Sequence, residues 1–330
     1  MKLAVVILNW NGRSLLDIFL KSVVEHTSGH DIYVIDNAST DDSINFIEKN
    51  YPKVRLIKLS ENLGYAGGYN EGLKQVKADI YCLLNNDVEV TANWTEPILK
   101  AFQKDTTLAA AQPKILDYND KSKFEYAGAA GGFIDRYGFP YCRGRLFETI
   151  ESDNGQYDST AEVFWASGAC FFVRESSFDL CQGLDSSFFA HMEEVDLCWR
   201  LINKGCRIKC VGDSTVYHVG GATLSQGNAH KTYLNFRNSL FMLYKNLPGK
   251  TLLPVLFTRL ILDGIAGLKF LFEVQGSHTL AVLRAHWSFY NSIARMKSFR
   301  KDQNHQKNYF AKRSIVWSYF VKGIREYSRL

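Results

Sequence analysis

The sequence predicts an α/β protein in which a mainly parallel sheet carries helices on both faces and a helical C-terminal region follows. Over residues 2–113, apolar runs of strand length alternate with helical patterns, and polar clusters follow the predicted strands. Beyond residue 226 the pattern is helical. Alternation of this kind is typical of parallel strands joined by crossover helices, which is why we expect this fold class.

The predicted elements of the first third follow one another in a regular order. Five apolar runs predict strands at residues 3–8, 32–35, 54–59, 80–84 and 108–112. The segments between them predict helices at residues 14–25, 42–49, 69–76 and 94–103. Ligands of such sheets gather at the carboxyl ends of the strands, so we expect a ligand-binding half at residues 1–113.

The remainder divides into two further parts. Residues 114–225 are rich in Gly and Tyr, with a strand-like run at 163–173 and an amphipathic helix that begins near Glu193 and stops at Gly205. Residues 226–330 predict helices, with a break at Pro248-Gly249.

The cysteines and the apolar runs bound the class of protein. The seven cysteines are odd in number, scattered and never spaced Cys-x-x-Cys, which favours free buried thiols in a reducing, cytoplasmic compartment. Cys206 and Cys210 have no second pair of ligands nearby, so we expect no zinc site there. No uncharged apolar run approaches the roughly 20 residues needed to span a bilayer. Residues 3–8 predict a buried strand, not a signal peptide.

The net charge of +5 is unevenly distributed. Residues 226–330 contain 17 Lys and Arg against 4 Asp and Glu, a net charge of +13, which leaves −8 for residues 1–225. Aromatic side chains accompany these basic residues, among them Phe257, Trp287 and Trp317. Basic, aromatic-rich helices favour an anionic membrane surface. A solvated basic face is the alternative, and no motif supports binding of nucleic acid.

A Gly-rich segment at residues 62–72 opens the third predicted helix. It follows the third strand without the spacing of a dinucleotide fingerprint, and it has no Gly-Lys-Ser/Thr of a P-loop. Its glycines allow a backbone to approach a bulky polar ligand, and the helix N-terminus favours phosphate. A tight strand-to-helix turn that needs glycine is the alternative. The candidate ligand-binding residues here are Asn62, Gly64, Gly67 and Asn70.

Polar side chains follow the first, second and fourth strands, where ligands of a parallel sheet bind. They are Asn9 and Asn11; Asp36, Asn37 and Ser39; and Asn85, Asn86 and Asp87. Asp36 suits recognition of a base imide or a ribose hydroxyl, although an Asx-turn before the next helix is the alternative.

Asp87 and His218 are candidate metal ligands. A carboxylate fixed at a strand end beside a diphosphate suits Mg²⁺ or Mn²⁺, which prefer oxygen ligands and retain phosphate oxygens. His218 precedes Gly220-Gly221, which allows a ligand to approach, but a lone histidine is more often structural.

Glu193 and Glu194 place two adjacent carboxylates at the start of the predicted helix. A helix N-terminus favours negative charge, so the pair by itself is explained by the helix dipole. The α/β half before them and His218 after them favour a catalytic site instead.

Taken together, these motifs make the chain resemble the family 2 glycosyltransferases of the GT-A fold, in particular the rhamnosyltransferase-like branch that builds bacterial cell-surface polysaccharide. The resemblance covers roughly residues 1–245, and its motifs occur in the family's order. The matching segments are residues 5–11, 34–41, 62–72, 84–87, 167–170, 193–197 and 218–221. Arg237-Asn238 also matches a family feature, without a role that the sequence assigns.

The resemblance implies an inverting transfer from a nucleoside-diphosphate sugar. Glu194 would be the general base, with Glu193 as the alternative, and Asp87 with His218 would hold the divalent cation. Residues 1–113 would bind the nucleotide sugar, and residues 114–225 would bind the acceptor and contribute the catalytic groups. Asp196, four residues before Arg200, is expected to form a helix-surface ion pair instead.

Two departures from the family pattern bear on activity. The family's metal motif is usually Asp-x-Asp, but its first position here is Asn85, so only Asp87 supplies a full charge. The family's Glu-Asp pair is Glu193-Glu194, whose second carboxylate reaches one methylene further. The Asn85 departure leaves a non-catalytic, nucleotide-sugar-binding partner subunit as the alternative function. A Rossmann-type oxidoreductase is disfavoured because the first strand lacks the fingerprint.

The resemblance also implies the partners. The donor would be dTDP-rhamnose or a UDP-sugar, and the acceptor a glycan or polyprenyl-linked glycan at the inner face of the cell membrane. Residues 252–272 are mainly apolar but are interrupted by Arg259, Asp263 and Lys269, which suits a helix lying at a membrane interface. A homodimer interface is the alternative for this segment.

Overall fold

The computed structural model describes residues 1–220, 228–300 and 305–330. The strands within these ranges are β1 Leu3–Asn9, β2 Asp31–Asp36, β3 Arg55–Lys58, β4 Ile80–Asn85, β5 Val88–Val90, β6 Leu108–Asp117, β7 Gly132–Ile134, β8 Pro140–Cys142, β9 Arg145–Leu146, β10 Thr149–Ile150, β11 Ala161–Glu162, β12 Cys170–Arg174 and β13 Arg207–His218. The α-helices are α1 Arg13–His26, α2 Ser43–Asn50, α3 Gly64–Leu73, α4 Glu96–Lys104, α5 Glu175–Leu180, α6 Glu193–Asn203, α7 Ala229–Asn246, α8 Gly249–Phe272 and α9 Gly276–Arg300.

The central sheet has the strand order β11-β13-β6-β12-β4-β1-β2-β3, and β5 pairs with the end of β13. The block β4-β1-β2-β3 is parallel throughout, and β6 runs parallel to β13. The strand β12 is inserted antiparallel between β4 and β6. The predicted mainly parallel α/β sheet is therefore confirmed. A second, antiparallel sheet has the order β10-β9-β8-β7.

Helices cover both faces of the central sheet, as the alternation predicts. Successive residues of β1 point to opposite faces, so Leu3, Val5 and Ile7 enter one apolar core and Ala4 and Val6 the other. The first core is completed by α1, α2 and α4, and the second by α3, α6 and α7.

The predicted boundaries differ from the structure at two places that matter for the site. The helix α3 begins at Gly64, five residues before its predicted start, because Gly64 with φ +70° makes the turn into it. The predicted strand at 163–173 is wrong in its first half, because β12 begins only at Cys170. There the backbone N–H of Ser167 donates to the buried Gln112 Oε1 at 2.8 Å, which takes this segment out of the sheet.

The C-terminal region is helical through α9, as predicted, but its end is not. Residues 305–330 contain only a short π-helical segment at Trp317–Val321 and a 3₁₀ turn at Tyr327–Arg329, and they pack against the second sheet and α6. The Tyr309 ring stacks on Trp199 at 5.0 Å, and the Tyr327 ring stacks on Phe133 at 5.7 Å. Across the part of the chain that is described, none of the helices has both the length and the apolarity that crossing a bilayer requires.

Candidate functional site

The polar residues that follow β1, β2 and β4 meet at one edge of the sheet because these strands are parallel neighbours. The Nδ2 of Asn9 donates to Asp36 Oδ1 at 3.4 Å and to Ser39 Oγ at 3.3 Å. The Nδ2 of Asn86 donates to Asn9 Oδ1 at 3.0 Å. The structure thus brings four predicted residues into one hydrogen-bonded cluster.

Asp36 and Asn11 shape the loop beside this cluster. The carboxylate of Asp36, only 1% exposed, accepts the backbone N–H of Ser39 at 2.9 Å. Asn11 donates its backbone N–H to Ser39 Oγ at 2.9 Å and accepts from the Thr40 N–H at 2.7 Å. The turn-forming alternative for Asp36 is therefore present in the structure, and its role in recognising the ligand stays a prediction.

Asn37 fastens the Gly-rich segment to the sheet edge. Its Nδ2 donates to Asn62 Oδ1 at 2.9 Å and to the carbonyl of Gly64 at 3.1 Å, and its Oδ1 accepts the Leu63 N–H at 3.0 Å. A Cβ at Gly64 would lie 2.7 Å from the Phe189 ring, and one at Gly67 would lie 2.9 Å from the Leu63 Cβ. Close packing therefore accounts for both glycines.

Asn70 lies on α3 and faces a different part of the molecule. Its Nδ2 donates to the Leu184 carbonyl at 2.7 Å, and its Oδ1 accepts the Leu184 N–H at 3.0 Å. It lines a cleft of about 500 Å³ together with Arg200 and Lys245. Its side chain holds the chain before α6, and its predicted contact with the donor remains untested.

Asp87 and His218 lie together because β5 pairs with the end of β13. In this pairing His218 lies opposite Val88, the residue after Asp87. Asp87 Oδ1 is 3.0 Å from His218 Nε2, and Glu125 Oε1 is 3.4 Å from His218 Nδ1. All three side chains are buried. The sequence did not indicate Glu125, since it lies in an irregular segment that only the folded chain brings to β13.

The two carboxylates control the charge of His218. Burial works against the imidazolium, but the hydrogen bonds and charges of Asp87 and Glu125 outweigh it and raise the pKa of His218 to about 10.

Once the proton on His218 Nε2 is displaced, the donor atoms of Asp87 and His218 fit a divalent cation that takes its other ligands from substrate. Two ligand atoms at adjacent corners of an octahedron with bonds of about 2.1 Å lie about 3 Å apart, which matches their separation here. Within the described ranges, no group of three or more His, Cys, Asp or Glu side chains forms a metal site without substrate. Phosphate oxygens and water would complete the shell.

Glu193 and Glu194 begin α6 and differ in solvent access. Glu193 is 4% exposed, whereas Glu194 is partly exposed. A Cβ at Gly168 would lie 3.8 Å from the Glu194 carboxyl carbon, and the carbonyl of Ala169 accepts the Asn85 N–H at 3.0 Å. The backbone at 168–169 therefore joins the Glu194 carboxylate to the end of β4.

The pKa values of both carboxyls are raised above their ordinary value. Burial, partly offset by backbone N–H groups that include that of Gly168, raises the pKa of Glu194 to about 7. Burial and then the charge of Glu194 raise the pKa of Glu193 well above its ordinary value. A carboxylate that titrates near neutral pH suits general acid–base chemistry.

The segment before α6 has an unusual backbone that α7 holds in place. Phe189, His191 and Met192 have φ values of +65°, +69° and +73°, in the left-handed region that side chains rarely adopt. The Nδ2 of Asn238 lies 2.8 Å from the carbonyls of Ala190 and His191, and Arg237 donates to the Ser187 and Phe188 carbonyls at 3.0 Å. The structure therefore gives Arg237-Asn238 a role that the sequence left open.

The predicted helix-surface ion pair of Asp196 and Arg200 exists but is buried. Arg200 Nε donates to Asp196 Oδ2 at 2.8 Å, and Lys245 Nζ lies 2.8 Å from the same oxygen. Asp196 is fully buried because α7 covers this face of α6. The prediction of a surface position is wrong, since the sequence could not show that α7 packs there.

Comparison with known proteins gives one family and several relatives. The model of the family described as "Glycosyl transferase family 2" matches residues 4–178. The chain is 29% identical over 203 residues to the N-acetylglucosaminyl-diphospho-decaprenol L-rhamnosyltransferase of Mycobacterium tuberculosis, covering 57% of this chain and 66% of that protein. It is 23% identical over 282 residues to the low-salt glycan biosynthesis hexosyltransferase Agl10 of Haloferax volcanii, covering 82% and 85%.

Solved structures share the fold at low sequence identity. The S. aureus TarS 1–349 structure in complex with UDP-GlcNAc has a TM-score of 0.58 at 15% identity and covers 91% of this chain and 84% of that one. The mannosyltransferase PcManGT of Pyrobaculum calidifontis, in complex with GDP-Man and Mn²⁺, has a TM-score of 0.53 at 13% identity, with coverage of 88% and 87%.

Proposed function

The chain belongs to glycosyl transferase family 2, and we propose that it is an inverting glycosyltransferase that moves a sugar from a nucleoside diphosphate to a hydroxyl of a glycan or lipid-linked acceptor. One observation carries this proposal. The backbone at 168–169 contacts the Glu194 carboxylate on one side and the end of β4 on the other. The same backbone segment therefore positions a base and a metal-binding strand end. This arrangement suits attack at an anomeric carbon that is bonded to a diphosphate.

Glu194 acts as the general base in this proposal. It removes the proton from the acceptor hydroxyl as that oxygen attacks the anomeric carbon, from the side opposite the leaving diphosphate. Glu194 is partly exposed and titrates near pH 7, whereas Glu193 is buried, which supports Glu194 over Glu193. A positioned base typically contributes about 10²–10⁴-fold.

Asp87 and His218 would hold Mg²⁺ or Mn²⁺. The bound cation supplies Lewis-acid stabilisation of the leaving diphosphate. Glu125 orients the imidazole from its other nitrogen. The amide of Asn85 lies 3.4 Å from His218 Nε2, where the family's usual acid would add a second charge. We therefore expect a cation affinity below that of an Asp-x-Asp site.

The donor nucleotide is assigned to the sheet edge. The cluster of Asn9, Asp36, Ser39 and Asn86, with Asn11, Asn37 and the segment from Asn62, supplies polar groups for a base, a ribose and a diphosphate. The name of the mycobacterial relative supports L-rhamnose as the transferred sugar, from dTDP-rhamnose. UDP-sugars are the next candidates, since a solved structure of the same fold holds UDP-GlcNAc.

A screen of purified sugar nucleotides tests this assignment. The full chain is incubated with each donor, a divalent cation and a panel of lipid-linked acceptors, and release of nucleoside diphosphate is measured. One donor should be consumed, and Asp36→Ala should weaken binding of the free nucleotide as well as the sugar nucleotide. Retained binding without consumption of any donor would instead favour the non-catalytic partner subunit. Nicotinamide binding would favour the oxidoreductase.

The helical hairpin α8–α9 carries an exposed apolar face, which we assign to an anionic membrane surface. Its members recur every three or four residues and are Leu253, Phe257, Ile261, Ile265, Leu268 and Phe272 on α8, and Leu280, Leu283, Trp287 and Tyr290 on α9. Phe272 is 84% exposed and Trp287 is 70% exposed. The net charge of +13 over residues 226–330 complements anionic lipid. A polyprenyl-linked acceptor would place this face at the inner side of the cell membrane.

Liposome co-sedimentation tests the membrane assignment. The full chain should pellet with anionic vesicles at low salt and be released at high salt. The double variant Phe257→Glu/Trp287→Glu should stay in the supernatant, while Ile18→Glu, an equally exposed apolar site on α1, should pellet as wild type does. A wild-type dimer that the double variant dissociates, without vesicle binding by either, would assign the face to a homodimer interface.

A further inference from the structure

Arg145 is a buried cation that forms no ion pair with a carboxylate of the described chain. It is 7% exposed, its Nη2 lies 3.6 Å from Cys142 Sγ, and within the described chain its Nε has no hydrogen-bond partner. The other three buried arginines of the described chain each donate to an oxygen: Arg143 to the Ala130 carbonyl, Arg200 to Asp196 and Arg259 to Asp263. Arg145 is the exception among the four.

Such a position is costly unless an anion arrives. Taking a guanidinium out of water costs several kcal/mol even after relaxation, and a thiol is a weak acceptor. The Tyr126 ring, 4.6 Å from the Arg145 Cζ, offsets part of this cost through a cation–π contact. Arginine presents a planar set of N–H donors that matches phosphate and carboxylate oxygens, and here its Nε is unpartnered and its Nη2 meets only a thiol.

Arg145 belongs to the same end of the molecule as the cation ligands. Tyr126, under its guanidinium, directly follows Glu125, which lies 3.4 Å from His218, which in turn lies 3.0 Å from Asp87. The Glu125 carboxylate is not free to pair with Arg145, because its Oε2 accepts the backbone N–H groups of Ala127 and Gly128 at 2.7 and 2.9 Å. The charge of Glu125 therefore acts on Arg145 only at a distance, and the guanidinium has room for an anion in direct contact.

We propose that Arg145 binds a phosphate group of a substrate at the side of the site opposite the sheet edge. The inference rests on the proposed function, in which both the donor and a polyprenyl-linked acceptor carry a diphosphate. On binding, the guanidinium gains charge-assisted hydrogen bonds to two phosphate oxygens. It would select acceptors or donors that carry a diphosphate over neutral glycans.

Binding of inorganic pyrophosphate tests the proposal without turnover. Calorimetry is done on the full chain in EDTA, so that no cation bridges pyrophosphate to Asp87. Arg145→Gln should weaken the binding at least about 10-fold, and Arg145→Lys by less, because lysine keeps the charge without the fork. Arg207→Gln, which removes the same charge from an exposed residue paired with Glu162, should bind as wild type does.

Thermal unfolding separates this role from a structural one. Without ligand, Arg145→Gln should unfold at the wild-type temperature or above it, because an uncompensated buried charge is removed. A lower unfolding temperature together with unchanged pyrophosphate affinity would overturn the proposal. So would a wild-type chain that binds no pyrophosphate. If Arg145→Gln does not fold, Arg145→Lys decides: affinity equal to that of wild type would overturn the proposal.

Steady-state kinetics identify the source of the phosphate. A raised KM for the sugar nucleotide in Arg145→Lys assigns the residue to the donor, and a raised KM for a diphosphate-linked acceptor assigns it to the acceptor. Unchanged values for both would overturn its assignment to a substrate. If the wild-type chain consumes no donor, the proposed function fails. The pyrophosphate comparison would still test phosphate binding by Arg145, because it does not depend on turnover.

Discussion

Glu193 and Glu194 are neighbours in sequence but not in environment. Glu194 is partly exposed beside Gly168, whereas Glu193 is 4% exposed, and within the described chain the Oε2 of each is buried without a hydrogen-bond partner. Composition and spacing identified the pair but could not rank its members, because rank depends on which way each side chain turns at the start of α6. Solvent access is the property that ranks them.

The pH profile of turnover reports the base. Since Glu194 must be ionised to accept a proton and burial raises its pKa to about 7, kcat/KM should rise with pH and level off above about pH 7. The measurement is a profile from pH 5 to 9 with saturating cation and with unfolding checked at each pH. A profile that is flat across pH 7, or one that falls as pH rises, would exclude Glu194 as the base.

The raised pKa values also affect stability. A carboxyl whose folded pKa lies above the unfolded value of about 4.3 contributes stability at low pH that is lost as pH rises through the folded pKa. Glu193→Gln should therefore raise the unfolding temperature at pH 8, and the gain should shrink at pH 5. Differential scanning calorimetry at both pH values checks this. A variant that unfolds earlier than wild type at pH 8 would contradict a raised pKa of Glu193 in the folded chain.

At the scale of elements, α7 acts on α6 through the segment between the short 3₁₀ turn Ser186–Phe188 and Glu193. Three left-handed residues in that segment store strain, which persists because Asn238 and Arg237 hold the carbonyls around them. The sequence predicted both helices but not this contact, since hydrogen bonds from a side chain to distant carbonyls leave no periodic signal.

Removing the hydrogen bonds that Asn238 donates to the segment before α6 should lower activity more than stability. Asn238→Ala leaves carbonyls of the 188–191 segment without their donor, so we expect kcat to fall at least about 10-fold while the sugar-nucleotide KM changes little. Asn235→Ala, a partly exposed position one turn earlier on α7, is the matched control. Equal kcat in Asn238→Ala and wild type would show that the segment keeps its shape without the hydrogen bonds of Asn238.

At the scale of the whole molecule, the sequence predicted the sheet and the edge at which its polar residues meet. This succeeded because β4, β1 and β2 follow the ordinary right-handed alternation, so their carboxyl ends coincide. It also identified the family, which the match over residues 4–178 confirms. Glu125, Arg145 and the end of the chain escaped prediction, since irregular segments are placed by tertiary contacts and not by periodicity.

The last 26 residues illustrate such contacts and should be needed for stability. Their removal eliminates the ring stacks of Tyr309 on Trp199 and of Tyr327 on Phe133. It also eliminates the hydrogen bond from the Ile315 N–H to the buried Asp135. A chain ending at residue 304 should lose at least about 3 kcal/mol of unfolding free energy in a urea titration, and Tyr309→Ala should lose part of it. Coincident unfolding curves for the truncated and full chains would contradict the importance of this packing.

The central claim is that Glu194 is the base of a glycosyl transfer, and substitution by its uncharged isostere tests it most directly. With the donor that the screen identifies, transfer is measured for wild type, Glu194→Gln and Glu193→Gln, alongside the dissociation constant of the sugar nucleotide. Glu194→Gln should lower kcat about 10²–10⁴-fold with donor binding within a few-fold of wild type, and Glu193→Gln should lower it far less. Transfer by Glu194→Gln within a few-fold of wild type, with Glu193→Gln much slower, would contradict the assignment and exchange the two roles.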